Sequence, residues 1–127
     1  METDNSKGNL HNRLFVYGTL QHGQSRNYVL NGLKYEKAIL PNFRKIEPLS
    51  LGFPFIIKDN KYNVKGEVYY GVSRSLINHL DMIEGEGRLY HRIIVKVKIE
   101  NGNEIDAYTY YPSEILIKNY KKEIIDE

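Results

Sequence analysis

The chain has 127 residues, enough for one domain with a real core and too few for two. Eighteen Lys and Arg against sixteen Asp and Glu leave a net charge of +2, spread along the chain, which argues against a nucleic-acid partner. With no cysteine, disulfides, zinc thiolates and a cysteine nucleophile are excluded, and no apolar run is long enough to span a bilayer.

In chain order, Met1 to Asn12 is polar and lacks the apolar stretch of a secretory signal. It reads as a disordered lead-in to a single domain over residues 13–127, and the chain is expected in the cytoplasm. Leu14-Phe15-Val16-Tyr17, stopped by Gly18, reads as a buried first strand, followed by a polar loop and one or two helical turns over Arg26 to Leu30. Ala38–Leu40 and Phe55–Ile57 are short strand candidates around a Gly52-Phe53-Pro54 turn, and Lys65 to Val72 alternates as a further strand. Ser73 is a good N-cap for a helix carrying Leu76, Ile77, Leu80 and Ile83 on one face, with Gly85 as its stop. Glu84 therefore falls at the helix C-terminus.

His91 to Glu100 and Glu104 to Tyr111 form a hairpin. A three-residue loop, Asn101-Gly102-Asn103, pairs Ile99 with Ile105, Val97 with Ala107 and Lys98 with Asp106. It puts Tyr111 inward and Tyr110 outward, and gives Asn103 the left-handed position. The tail from Ser113 has Ile115, Leu116, Tyr120 and Ile124 at helical spacing. About six short strands and one clear helix predict an α+β fold, a small mixed or antiparallel β-barrel flanked by helices.

Two segments carry the chemistry. At Tyr17-Gly18-Thr19-Leu20 a buried strand breaks at glycine, and successive N–H groups there can form an anion-binding nest, although strand-then-glycine is also an ordinary turn. At Leu80-Asp81-Met82-Ile83-Glu84-Gly85, both acids could be solvated charges on a helix face. Yet a carboxylate is disfavoured by the helix dipole at that end. In a partly buried cleft, dipole and desolvation together raise its pKa towards neutrality, where it can accept and return a proton.

Taken together, Phe15-Val16-Tyr17-Gly18-Thr19-Leu20 with Gln21-His22-Gly23-Gln24, then Gly66-Glu67-Val68-Tyr69, Leu80-Asp81, Glu84 and Leu89-Tyr90-His91-Arg92, resemble gamma-glutamylcyclotransferase-like proteins. Within that group the gamma-glutamylamine cyclotransferase branch is the nearest, and Gly52-Phe53-Pro54-Phe55-Ile56 is similar to its central aromatic-proline loop. The resemblance covers residues 13–112. It implies a six-stranded barrel with a cavity at its mouth, and a reaction in which the alpha-amine of a gamma-glutamyl group attacks its own side-chain carbonyl to give 5-oxoproline and a free amine. It implies Glu84 as the catalytic acid/base, Tyr17, Gly18, Thr19 and Leu20 as the loop holding the glutamyl moiety, and Tyr90 as a pocket aromatic. It implies no metal or cofactor, and a small gamma-glutamyl compound rather than nucleic acid or membrane as partner. Monomer and homodimer both stay open. Glu86 and Arg88 add charge beside the catalytic turn, and Lys34 to Ser50 aligns with nothing in the family. A non-catalytic binding module on the same barrel, or removal of a gamma-glutamyl protecting group in a biosynthetic pathway, are the alternatives.

Overall fold

The computed structural model describes residues 12–85 and 89–126. All but one residue of the lead-in expected over 1–12, together with Glu86 and Arg88, lie outside the described residues. Five strands, β1 (Arg13–Val16), β2 (Tyr35–Ile46), β3 (Phe55–Tyr70), β4 (Tyr90–Ile99) and β5 (Glu104–Pro112), close into a barrel in the order β1-β3-β2-β4-β5. A 3-10 helix (Asn27–Leu30) follows β1, helix α1 (Arg74–Glu84) joins β3 to β4, and α2 (Glu114–Asn119) and α3 (Lys121–Asp126) end the chain. Neighbouring strands pair antiparallel except β1 with β5, which run parallel through Leu14 and Tyr108 and close the barrel.

Among the described residues the strands number five, where the sequence pattern suggested about six. Phe55–Ile57 and Lys65–Tyr70 belong to one strand, β3. Its pairing with β2 steps between Pro41/Asn63 and Phe43/Lys58, so four residues, 59–62, stand against Asn42 alone. Asn42 takes φ 70 there, the left-handed conformation that asparagine tolerates, and the polar run on β3 is the outward step of this bulge. A sequence window sees the polar run as a loop; the sheet absorbs it.

Alternation along the strands builds two cores. Phe15 of β1 and Tyr17 just beyond it point into the barrel with Ala38, Leu40, Val68, Val95, Val97 and Ala107. Leu14 and Val16 point out, beneath Ile77 and Leu80 of α1, where Tyr108, Tyr110 and Leu116 also pack. Gly66 is required where β1 meets β3: a Cβ at that point would lie 2.3 Å from the Val16 carbonyl oxygen. This close approach fixes where β1 ends and where the following loop leaves the barrel.

The β4–β5 hairpin has a three-residue loop, but one residue earlier than its sequence suggested. Ile99 N–H donates to the Asn103 carbonyl, and Gly102 N–H donates to Ile99 across a loop of Glu100, Asn101 and Gly102. Gly102, not Asn103, holds the left-handed position, at φ 90, because glycine adopts it without steric cost. The pairs become Val97 with Ile105, Val95 with Ala107 and Lys96 with Asp106, the last an ion pair at 2.9 Å. Sliding both strands keeps the facing unchanged, so Tyr111 is inward against Phe43 and Tyr110 is on the outer face. The tail helix is two helices, broken at Tyr120, where φ −117 and ψ 25 depart from helical values.

Candidate active site

One end of β1 and the end of α1 meet at an open cavity. Its wall includes Tyr17, Gly18, Thr19, Leu20, Glu84 and Tyr90, every site residue expected from the sequence. Arg26, Phe53, Pro54, Leu89 and Tyr110 complete much of the remainder.

The loop after β1 is held from three sides. Tyr17 is buried and its Oη donates to the Tyr110 carbonyl at 2.7 Å, tying the strand end to β5. Gly18 lies against Pro54, whose Cγ would be 3.0 Å from an added Cβ, so the loop and the residue-54 turn approach as closely as glycine permits. The Asn27 side-chain amide donates both to the Leu20 carbonyl at 2.9 Å and to Tyr69 Oη at 2.8 Å, and Tyr69 in turn donates to Glu67 at 3.2 Å. Glu67 also accepts from the His22 N–H at 2.8 Å. No acceptor among the described residues takes the N–H groups of Gly18, Thr19 or Leu20, which leaves three successive donors beside the cavity.

Glu84 is the last residue of α1. Ser73 caps the other end, its side chain accepting from Leu76 N–H, and Gly85 ends the helix at φ 65. The amphipathic face anchors Ile77 and Leu80 in the outer core, which leaves the last turn over the cavity. The Glu84 side chain is 14% exposed, and desolvation raises its pKa above the ordinary carboxyl value of 4.5. Arg26, with Nη1 3.7 Å from Glu84 Oε2, pulls the other way and is the smaller effect. The carboxyl is thus held partly dry, with one cation at its outer side.

Tyr90 begins β4 after the turn that follows α1. Its Oη donates to the Pro54 carbonyl at 2.9 Å and its ring lies 6.1 Å from that of Phe53. Burial, and the nearby Glu84 carboxylate, push its phenol well above the usual range, and the Tyr17 phenol is raised by burial first, then by Tyr90 and Glu84. These tyrosines stay protonated donors through the neutral range.

Asp81 departs from the reading of a solvated helix-face charge. It accepts from Tyr110 Oη at 2.7 Å and lies 3.2 Å from Arg92 Nε, while Arg92 stacks over the Tyr108 ring. The carboxylate therefore fastens the last turn of α1 to β4 and β5. Arg26, Tyr110 and this role of Asp81 carried no local signal: each depends on strands far apart in sequence. Phe53 and Pro54 were visible as a motif but without a place in the site.

Comparison with known proteins agrees with this architecture. The family model for gamma-glutamyl cyclotransferase, AIG2-like, matches residues 14–126. AIG2-like protein A of Arabidopsis thaliana is 32% identical over 103 residues, covering 80% of this chain and 61% of that protein. Gamma-glutamylaminecyclotransferase A of Danio rerio is 31% identical over 111 residues, covering 79% and 68%. The chain thus spans about three fifths of the length of the Arabidopsis relative. The crystal structure of an AIG2-like protein from Mus musculus shares the fold, with a TM-score of 0.72 at 23% identity over 80% of this chain and 77% of that one. On the family match, which takes in both β1 and α1, the chain belongs to the gamma-glutamyl cyclotransferase, AIG2-like family.

Proposed function

We propose that this protein cyclises a gamma-glutamyl amine or amide, releasing 5-oxoproline and a free amine, with Glu84 as general acid/base. The observation that carries the reading is that a desolvated Glu84 lines one cavity with Gly18, Thr19 and Leu20, whose N–H groups have no acceptor among the described residues. Family membership and the relative named gamma-glutamylaminecyclotransferase A support it.

The chemistry needs little beyond what lines the cavity. The substrate alpha-amine attacks its own side-chain carbonyl, so nucleophile and electrophile arrive joined and the site has to fold them together and keep water out. Glu84, as carboxylate, takes the proton that the attacking nitrogen must lose. The N–H groups of Gly18, Thr19 and Leu20 receive the negative oxygens of the glutamyl group. When the tetrahedral intermediate collapses, the C–N bond to the leaving amine breaks and Glu84 returns the proton to that nitrogen. One new amide forms, one is lost, and no water is consumed. Tyr90 and Tyr17, donating to backbone carbonyls, stiffen the walls that impose the folded conformation.

The test is chromatographic detection of 5-oxoproline from a panel of gamma-glutamyl amines and dipeptides, with wild type and Glu84→Gln side by side. Release by wild type that drops by about 10²–10⁴-fold in the variant supports the reading. No release from any compound by folded protein points to the non-catalytic binding module instead. Release unaffected by the substitution overturns the role of Glu84.

A further inference from the structure

Among the described residues lining the cavity, Arg26 is the one cation and Glu84 the one carboxylate. Their depths differ. Phe15, Val16 and Tyr17 form a floor no more than 7% exposed, the Glu84 side chain is 14% exposed, and the Arg26 side chain is 44% exposed at the rim. Exposed Leu89 and half-buried Phe53 also border the cavity.

Resting on the cyclisation reading, we infer that Arg26 selects substrates whose leaving amine carries a carboxylate. The reacting carbonyl has to sit at Glu84, because that side chain must reach both the attacking and the departing nitrogen. The glutamyl group then folds below this level, towards the floor and the open loop N–H groups. The leaving amine lies above it, on the side where the guanidinium stands. A glutamyl group already has its amine met by Glu84 and its negative oxygens met by the loop, so it makes no call on a cation at the rim. The Arg26–Glu84 contact of 3.7 Å is loose and half solvated, and the guanidinium can turn from it to an incoming carboxylate at small cost. The Arg26 backbone is fixed, its N–H donating to the Thr19 carbonyl at 2.9 Å, so the side chain swings from an anchored base. A guanidinium offers paired donors matched to a carboxylate, which favours this partner over a neutral amide.

The experiment compares gamma-glutamyl-alanine with gamma-glutamyl-ethylamide, which differ by the carboxylate alone. 5-Oxoproline release is followed for wild type, Arg26→Gln and Arg26→Lys. Wild type should favour the alanine compound by about two- to fivefold in kcat/KM, the worth of one half-exposed ion pair. Arg26→Gln should bring that ratio to about one, mainly through KM of the alanine compound, and Arg26→Lys should keep part of it. Because loss of Arg26 also changes the Glu84 carboxyl, absolute rates shift for both compounds, and the ratio is free of that effect. An equal loss for both compounds leaves the preference unchanged in Arg26→Gln, means that Arg26 acts on Glu84 or on the glutamyl group, and overturns the inference. No release from either compound by folded wild type, with release from others of the panel, overturns this inference alone; no release from any of them overturns the cyclisation reading with it.

Discussion

Tyr110 on β5 donates its hydroxyl to Asp81 on α1 across 2.7 Å, three residues before Glu84. The same tyrosine accepts the Tyr17 hydroxyl on its backbone carbonyl. One residue therefore joins the two parts of the candidate site, the end of β1 and the end of α1. Desolvation, then Asp81, push its phenol far above the usual range, so it stays a protonated donor through the neutral range.

Tyr110→Phe removes this donor and leaves Asp81 with Arg92 beside it. The expected stability loss is about 1–3 kcal/mol, the cost of a part-buried carboxylate short of one partner. If the bond positions Glu84, kcat falls while KM for the gamma-glutamyl compound changes little, since the loop N–H groups are untouched. Urea unfolding and steady-state kinetics on the same variant separate the two effects; intact kcat in a destabilised variant shows a purely structural bond.

On the proposed mechanism, the raised pKa of Glu84 sets the acid limb of activity. The carboxylate is the form that accepts a proton, so kcat/KM should rise with pH through a value above the ordinary 4.5. Tyr17, Tyr90 and Tyr110, all pushed upward, do not titrate in that limb. Arg26 opposes the shift, so Arg26→Gln leaves desolvation unopposed and moves the limb to higher pH. A pH–rate profile of both proteins checks the direction. A limb that moves to lower pH in the variant contradicts the assignment of that limb to Glu84.

Much of this site was legible because its chemistry sits at element ends, which leave strong local marks. Ser73, the Leu76–Ile83 stripe and Gly85 bounded α1 and so placed Glu84 at its C-terminus, as the structure finds. Leu14 to Gly18 marked the strand and its exit in the same way. What escaped were properties of pairing. The long β3 was divided because a polar bulge resembles a loop in one dimension. The hairpin slid by one residue because Gly102 outbids Asn103 for positive φ, a competition between neighbours that apolar pairing alone cannot rank. The hairpin pattern puts Tyr110 on the outer face, but its burial to 3% depends on α1, whose Asp81 it meets.

Glu84 carries a stability consequence of its own. A carboxyl raised by burial binds its proton more tightly folded than unfolded, so folded protein loses stability as pH rises from 4.5 through the raised value. Below 4.5 both states are protonated and the cost is absent; above the folded value it is fully present. Glu84→Gln removes the charge and should raise Tm by a few degrees at neutral pH, with the gain vanishing under acid conditions. Thermal unfolding across that range tests this. A variant less stable at neutral pH means that the Arg26 contact outweighs desolvation.

Asn27 offers the clearest separation of loop position from chemistry. Its amide bridges the Leu20 carbonyl and Tyr69 Oη, while Tyr69, held by burial at about 12, reaches on to Glu67, and Glu67 accepts from His22. This chain fastens both ends of the loop that lines the cavity. Asn27→Ala cuts it at the centre without altering Glu84 or any side chain that lines the cavity. The expected cost is about 1–2 kcal/mol of stability, because two part-buried oxygens lose a donor. The expected kinetic effect is a rise in KM of about three- to tenfold, with the acid limb of the pH profile unmoved, because substrate is held less well while the acid/base is unchanged. Steady-state kinetics at several pH values decides it. A fall in kcat with KM constant would show instead that the loop acts on the transition state alone, and would assign its N–H groups to the oxyanion rather than to the glutamyl carboxylate.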